Sequence, residues 1–178
     1  MGCITTYTRK KFDPLHPQAA DFDIRDIAHA LAFTCRGNGH VKRFFSVGQH
    51  CVTCAKEAIA RGYSDRVVLA CLLHDASEAY MSDVPRPFKE VLPEYVKAEE
   101  KLIDLVYLTF LGSTLSDEEQ KLVKKVDDDL LYYDMKELLD VTLDGIAPYI
   151  NICLDYSERR FEEVEREYLD IYKRYKME

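Results

Sequence analysis

The chain has 178 residues, of which 47% are hydrophobic and 31% are charged, and its formal net charge is −8 at pH 7. Length and composition predict one globular domain over residues 1–178, while the acidic balance argues against a nucleic acid polymer as partner. No apolar run of about 18 residues is present to span a membrane, and scattered cysteines without an apolar leader predict a cytoplasmic protein with reduced thiols.

The first 22 or so residues are predicted to be irregular, because two prolines interrupt any helix there. Asp23 is a typical N-cap for a first helix from Ile24 to about Cys35, since apolar residues recur at helical spacing. The Gly-Asn-Gly sequence that follows is expected to end this helix, with Arg36 at its exit, where it could either cap the carboxyl end of the helix or have a functional role. Ser46 then caps a second helix, in which His50 stands beside the apolar stripe.

Ser64 is expected to cap a third helix that carries the stretch LLHDASEAYMSDVPRPFK, in which Pro85 and Pro87 stop the helix and impose an extended connection. In a helix, Glu78 projects from the same face as His74 and Asp75, and Asp83 lies further along. Ionisable groups at the end of a hydrophobic helix are costly to bury unless something pairs with them. A bound metal ion is the simplest partner, because imidazole and carboxylate are ordinary metal ligands.

Three further helices are predicted downstream. Pro93 suits the first turn of a helix to about Phe110, and Ser116 with Glu119 forms a capping box for a helix to about Leu139. A last helix covers about 157–176, with an aromatic stripe typical of core or of a subunit interface. No strand is convincing, so the predicted fold is an all-α bundle of six to seven helices, with its motif-bearing core at about 22–140.

Helical periodicity separates the three consecutive aspartates of the fifth predicted helix. Asp127 lies closest to the middle of the apolar face, whereas Asp128 points almost opposite, towards lysines. Asp127 is therefore the buried candidate. Together with His50, His74 and Asp75 it offers nitrogen and oxygen ligands that suit Mn, Fe, Co, Zn or Mg.

A Cys-x-x-Cys pair lies beside His50. Cys51 and Cys54 are on a helix, and no second cysteine pair is near them in sequence. We therefore interpret them as small apolar core residues rather than as a zinc or redox motif.

The ordered set of His50, His74-Asp75 and Asp127 resembles the signature of the HD-domain metal-dependent phosphohydrolases. Bacterial 5′-deoxynucleotidases and phage-type HD hydrolases are the most similar groups. The matching segments together cover roughly residues 22–140; they are DIRDIAHALAFTCRGNGH, FSVGQH, HDASEAYMSDVPRPFK and VKKVDDDLL.

The resemblance implies roles for individual residues. The four residues of the signature would surround a divalent metal ion, whose identity the sequence leaves open. Glu78 would orient or deprotonate the attacking water, and Arg36 would bind the substrate phosphate. Asp83 would lie near the leaving oxygen as an acid, and Lys89 is a second candidate phosphate contact. Periodicity and composition do not themselves assign these roles.

One departure from the deoxynucleotidase pattern concerns the sugar. That pattern has Arg-Trp where this chain has Arg36-Gly37, and the chain contains no tryptophan. The sequence therefore leaves open whether deoxyribose and ribose are distinguished, and Asn38-Gly39-His40 is more similar to the phage-type relatives.

Three functions follow as expectations. The leading one is a phosphohydrolase that removes the 5′-phosphate from (deoxy)nucleoside monophosphates. The first alternative is a dNTP triphosphohydrolase that uses the same site, and the second is a non-catalytic module that binds nucleotide. The expected partner is a small-molecule nucleotide, and the aromatic last helix suits a homodimer.

Overall fold

Polar N-cap side chains start the helices where the sequence predicts. In the computed structural model, which describes residues 2–176, the hydroxyls of Ser46, Ser64 and Ser116 each accept a hydrogen bond from the backbone N–H three residues on, at 3.0–3.3 Å. The helices are α1 (Ile24–Phe33), α2 (Val47–Ala60), α3 (Asp65–Leu73), α4 (Glu78–Met81), α5 (Arg86–Lys89), α6 (Pro93–Leu111), α7 (Asp117–Leu139) and α8 (Phe161–Tyr175). Within 2–176, six helices thus have nine or more residues and two have four, which confirms the all-α prediction. None of them is both long and apolar enough to cross a membrane.

A small β-hairpin lies in the segment predicted to be irregular, so the expectation of no strand is wrong there. Strand β1 (Ile4–Thr5) pairs antiparallel with β2 (Lys11–Phe12). Two-residue strands are too short for the alternation that identifies a strand in a sequence. Phe12 is fully buried, and its ring stacks on Tyr80 of α4 at 4.0 Å, which attaches the hairpin to the bundle.

Helices α2 and α3 occupy the centre of the bundle. Both contact α7 and α8 as well as each other, α2 also packs on α1, and α3 also packs on α6. Every residue from Val67 to Leu73 is buried, so α3 runs through the core. The carboxyl end of α3 therefore delivers the following residues to the interior of the bundle.

The third helix does not continue to Pro85, which corrects the prediction, and α5 (Arg86–Lys89) lies where an extended connection was expected. Helix α3 ends at Leu73, a turn follows, and α4 begins only at Glu78. The His74 Nδ1–H donates to the carbonyl oxygen of Cys71 at 2.8 Å, and a continuing α-helix would use that carbonyl for the Asp75 N–H. The side chain thus competes with the backbone where the helix stops.

Helix α8 begins four residues later than Ser157, the predicted start. The Ser157 N–H donates to Asp155 Oδ1 at 2.9 Å, which closes a local turn. The Ser157 carbonyl accepts from Gln49 Nε2 at 3.3 Å, so this turn is tied to α2. Tyr168 is fully buried and its hydroxyl donates to Leu72 O at 2.8 Å, so the aromatic stripe belongs in part to the core.

The irregular segment 140–160, between α7 and α8, is held by one buried carboxylate. Glu57 of α2 is fully buried and accepts hydrogen bonds from the backbone N–H groups of Asn151 and Ile152 at 3.0–3.2 Å. Its Oε1 also accepts from Asn151 Nδ2 and from Arg61 Nε, both at 2.8 Å. Earlier in the segment, the Pro148 carbonyl oxygen accepts a hydrogen bond from the Tyr133 hydroxyl of α7 at 2.7 Å. These bonds position the segment against α2 and α7.

Candidate metal centre

Three helices bring the residues of the predicted signature together. His50 comes from α2, His74 and Asp75 follow directly on α3, and Asp127 comes from α7. The two imidazole rings lie with their centroids 5.3 Å apart. Asp127 Oδ1 lies 3.0 Å from His50 Nε2 and 3.6 Å from His74 Nε2, and Asp75 Oδ2 lies 3.3 Å from His74 Nε2. The two imidazole Nε2 atoms thus meet at Asp127, with Asp75 beside His74, and this meeting point is the candidate metal centre.

The second nitrogen of each imidazole faces away from that point. His74 Nδ1 must carry the proton, because its partner, the Cys71 carbonyl, can only accept. His50 Nδ1 lies 2.9 Å from Asp134 Oδ2, which is close enough for an ion pair, but the N–H does not point at the oxygen as a hydrogen bond requires. This leaves both Nε2 atoms directed at the point of convergence, and His74 Nε2 is buried without a hydrogen-bond partner among residues 2–176. Metal-binding histidines in proteins are oriented in this way.

Thiols border the same point from the core side. The donor atoms of His50, Cys54 and His74 all lie within 4.8 Å of one another, as do those of Cys51, His74 and Asp75. Both cysteines are buried, as the sequence predicts, but they also lie among the potential metal ligands, which the interpretation as core residues did not include. Burial raises the pKa of the Cys51 thiol. The cluster of histidine, cysteine and aspartate side chains could bind a metal ion.

The titration of these groups reflects an excess of negative charge. Burial and Arg36 lower the pKa of His50, but anionic neighbours, Asp134 and Asp127 among them, outweigh both and hold it well above its ordinary value. Burial likewise lowers the pKa of His74, and Asp75 reverses the direction. Burial raises the pKa of Asp127, but the two imidazoles bring it far below its usual range. Such a site favours a cation.

Glu78 lies next to this cluster at the start of α4. Burial, reinforced by the negative charges of Asp75 and Asp83, raises the pKa of Glu78 to about 9. One of its oxygens, Oε2, is buried without a hydrogen-bond partner among the described residues. At neutral pH the Glu78 carboxyl is therefore protonated when no cation is bound; a divalent ion bound at the cluster would lower this pKa and favour the carboxylate, which can accept a proton.

Arg36 faces the cluster rather than capping α1. It lies at the start of a 3₁₀ turn (Arg36–Gly39) whose Gly37 has φ of 57°, a backbone conformation that favours glycine. Its guanidinium contacts Asp75 Oδ2 at 3.5 Å through Nη1, and Asp134 Oδ2 at 3.1 Å through Nη2. The sequence interpretation left capping open as an alternative, and these contacts disfavour it.

A cavity of about 580 Å³ opens beside the cluster. Its polar lining includes the predicted Asp83 and Lys89, together with Arg86, which the sequence interpretation did not single out. Lys89 Nζ is already paired with the Glu99 carboxylate at 2.8–2.9 Å. One wall is apolar and consists of Val41, Leu131, Met135, Leu138 and Leu139. The cavity thus combines ionic groups at one end with a hydrophobic face.

A second opening of about 540 Å³ reaches the cluster from the α6 side. The lining of this cleft includes three residues of the cluster, His74, Asp75 and Asp127. Glu100 and Asp104 of α6 add two carboxylates to the wall of the cleft. The candidate metal centre is therefore accessible to solvent from two directions.

Asp134 is the site residue that sequence reasoning missed. It lies on α7 seven residues, or about two turns, after Asp127, and hence on the same face. That spacing was available as a signal. Its burial (7% exposed) and its contacts with Arg36 and His50 depend on the packing of α7 against α2.

Comparison with known proteins adds two relatives. The chain is 38% identical over 102 residues to the uncharacterized protein YfdR of Escherichia coli, an alignment that covers 57% of this chain and 54% of YfdR. It is 35% identical over 125 residues to the uncharacterized protein RCAP_rcc00048 of Rhodobacter capsulatus, over 66% of this chain and 63% of the relative. The chain thus spans between about half and two thirds of the curated relatives it matches. No protein-family model matches the chain.

Proposed function

We propose that this protein is a metal-dependent phosphohydrolase that removes the 5′-phosphate from (deoxy)nucleoside monophosphates. One observation carries the proposal: the Nε2 atoms of His50 and His74 lie beside the carboxylates of Asp127 and Asp75, and these two carboxylates line an open cavity together with Arg36. A set with open access on two sides resembles a catalytic rather than a closed structural metal site.

His50, His74, Asp75 and Asp127 would hold the divalent ion, and Cys54, 3.4 Å from His50 Nε2 through its Sγ, borders them. When bound, such an ion supplies Lewis-acid charge and lowers the pKa of a coordinated water towards about 7. The fit is supported by the donor chemistry and by the negative charge that the cluster carries without a cation. Mn, Co, Fe, Zn and Mg all remain candidates for this donor set.

The charges around the cavity support a monophosphate substrate. Arg36 would bind the phosphate oxygens, with Lys89 as a second contact, and Arg86 lies at the exposed mouth. Four carboxylates line the same cavity against these three cations; they are Asp75, Asp83, Asp127 and Asp134. Little positive charge is left over for two additional phosphates, so a triphosphate fits less well. The triphosphohydrolase remains the alternative because Arg86 extends the cationic lining.

The hydrophobic wall supports a nucleoside as the group that carries the phosphate. Leu131, Met135 and Leu138 present apolar surface on the same helix as Asp127 and Asp134. A nucleobase or sugar ring packed there would be removed from water while the phosphate reaches Arg36. Inorganic polyphosphate would leave this wall uncovered.

Glu78 would accept the proton of the attacking water. We expect Glu78→Gln to keep divalent metal binding but to lower kcat by about 10²- to 10⁴-fold, because the amide keeps the shape and cannot take a proton. Steady-state kinetics beside metal titration would measure both effects. An unchanged kcat would remove Glu78 from the chemistry, and loss of metal binding would assign it a structural role instead.

The proposed function is tested by phosphate release from a panel of dNMPs, NMPs and dNTPs with Mn²⁺, Co²⁺, Mg²⁺ or Zn²⁺. We expect inorganic phosphate from monophosphates in the wild type, and none above background in Asp75→Ala, because that variant lacks one proposed ligand. Tripolyphosphate from dNTPs would favour the triphosphohydrolase. Tight nucleotide binding without hydrolysis under any metal would favour the non-catalytic module.

A further inference from the structure

We propose that Asp134 is a positioning residue that holds the His50 imidazole and the Arg36 guanidinium at a fixed separation, and that Tyr156 in turn fixes Asp134. The inference rests on the proposed function, in which His50 is a metal ligand and Arg36 contacts the substrate phosphate. The three contacts of a single carboxylate carry it.

The Asp134 carboxylate contacts three side chains. Its Oδ2 lies 2.9 Å from His50 Nδ1 and 3.1 Å from Arg36 Nη2, and its Oδ1 accepts a hydrogen bond from the Tyr156 hydroxyl at 3.0 Å. The side chain is 9% exposed, so water competes little for these contacts. A carboxylate with all of its close partners on separate elements cannot move without displacing them.

The contact with His50 orients the ring. With Nδ1 facing Asp134, Nε2 is left towards Asp127 and His74, where a ligand atom is needed. A negative charge behind a metal-binding imidazole also increases its basicity as a ligand. Metal affinity should therefore depend on Asp134 although this residue does not reach the centre itself.

The contact with Arg36 connects the phosphate contact to the same carboxylate. Without Asp134, the remaining anion in contact with the guanidinium among residues 2–176 is Asp75, at 3.5 Å. Arg36 would then be drawn towards Asp75, a proposed metal ligand, which would change its position relative to the phosphate. Phosphate affinity and metal affinity should thus change together in an Asp134 variant.

Tyr156 ties this arrangement to segment 140–160. Its ring packs 5.3 Å from that of Phe45, and the Phe45 carbonyl accepts from the Arg36 N–H at 2.9 Å. The residue therefore contacts both Asp134 and the loop that carries Arg36. The segment that follows α7 completes the site through this one hydroxyl.

Four variants of the full chain separate positioning from general stability. Asp134→Asn removes the charge, and Asp128→Asn is its matched control on the solvent face of α7, where Asp128 pairs with Lys124 at 2.7 Å. Tyr156→Phe removes the hydroxyl that reaches Asp134. Tyr133→Phe is its control, because Tyr133 holds the same segment through Pro148 O and not through Asp134.

The readouts are the dissociation constant for Co²⁺, the Co²⁺ absorption spectrum and the affinity for inorganic phosphate in the Co²⁺-loaded protein. We expect Asp134→Asn to weaken Co²⁺ binding by about 10- to 100-fold, to shift the spectrum and to weaken phosphate binding. Tyr156→Phe should weaken Co²⁺ binding and phosphate binding by about tenfold or less and should shift the Co²⁺ spectrum in the same direction as Asp134→Asn. Both controls should match the wild type.

Wild-type Co²⁺ affinity and spectrum in folded Asp134→Asn would overturn the inference. If that variant does not fold, equal spectra for Tyr156→Phe and Tyr133→Phe would overturn it. None of these readouts needs turnover. A wild type that binds Co²⁺ but hydrolyses no nucleotide would therefore refute the proposed function alone, and one that binds no Co²⁺ would overturn the positioning role.

Discussion

Replacing Asp127 by alanine is expected to weaken divalent metal binding and to lower phosphohydrolase activity by more than about 100-fold. Loss of a residue that merely supports a metal ligand costs about 10- to 100-fold, and loss of a ligand should exceed that. Asp127 Oδ1 is within 3.6 Å of the Nε2 atoms of both His50 and His74, so its removal also leaves two imidazoles facing each other without an anion. Isothermal titration with Mn²⁺ and phosphate release from dNMPs would measure the two losses.

Asp128→Ala is the matched control, because the two aspartates are adjacent on α7 and differ in direction. Asp128 contacts Lys124 on the exposed face, where an ion pair contributes at most about 1 kcal/mol. We expect metal affinity and activity within a few-fold of the wild type. Equal losses in both variants would show that the helix, rather than the carboxylate of Asp127, is what the substitution disturbs.

Replacing Glu57 by alanine is expected to destabilise the fold by about 3 to 5 kcal/mol, the cost of removing one partner from a buried ion pair. The substitution leaves Arg61 and the backbone N–H groups of Asn151 and Ile152 without their shared acceptor. For a chain of this size the loss corresponds to a fall in Tm of about 6 to 20 °C. Thermal unfolding followed by circular dichroism would measure it.

Glu94→Ala supplies the comparison at an exposed glutamate. Glu94 pairs with Lys97 at 3.0 Å while 86% of its side chain is exposed, so a change within about 1 kcal/mol is expected. A Tm for Glu57→Ala equal to that of Glu94→Ala would mean that the bonds to segment 140–160 contribute little to stability.

The sequence by itself determined where the serine-capped helices α2, α3 and α7 begin, and that Asp127 and Asp128 point in different directions on α7. Caps such as Ser46 and Ser116 act on backbone N–H groups only three residues away, so their effect can be read locally. Periodicity distinguished Asp127 from Asp128 because one residue turns a helix by about 100°. The prediction that Asp127 is the buried aspartate was wrong, because its side chain is 34% exposed, whereas that of Asp129, paired with Arg61, is 13% exposed. The resemblance to HD-domain enzymes then indicated which side chains to expect together, and their roles as ligands remain predictions.

Only the tertiary structure decided where the helix before His74 ends and which residues support the site. The break after Leu73 depends on a side chain competing for the Cys71 carbonyl, and helical periodicity continues through it. Glu57 and Tyr156 act on residues 94 and 22 positions away, respectively, and no local pattern marks such partners. Their effect arises from burial, which removes competing water and is a property of the packed chain rather than of any short segment.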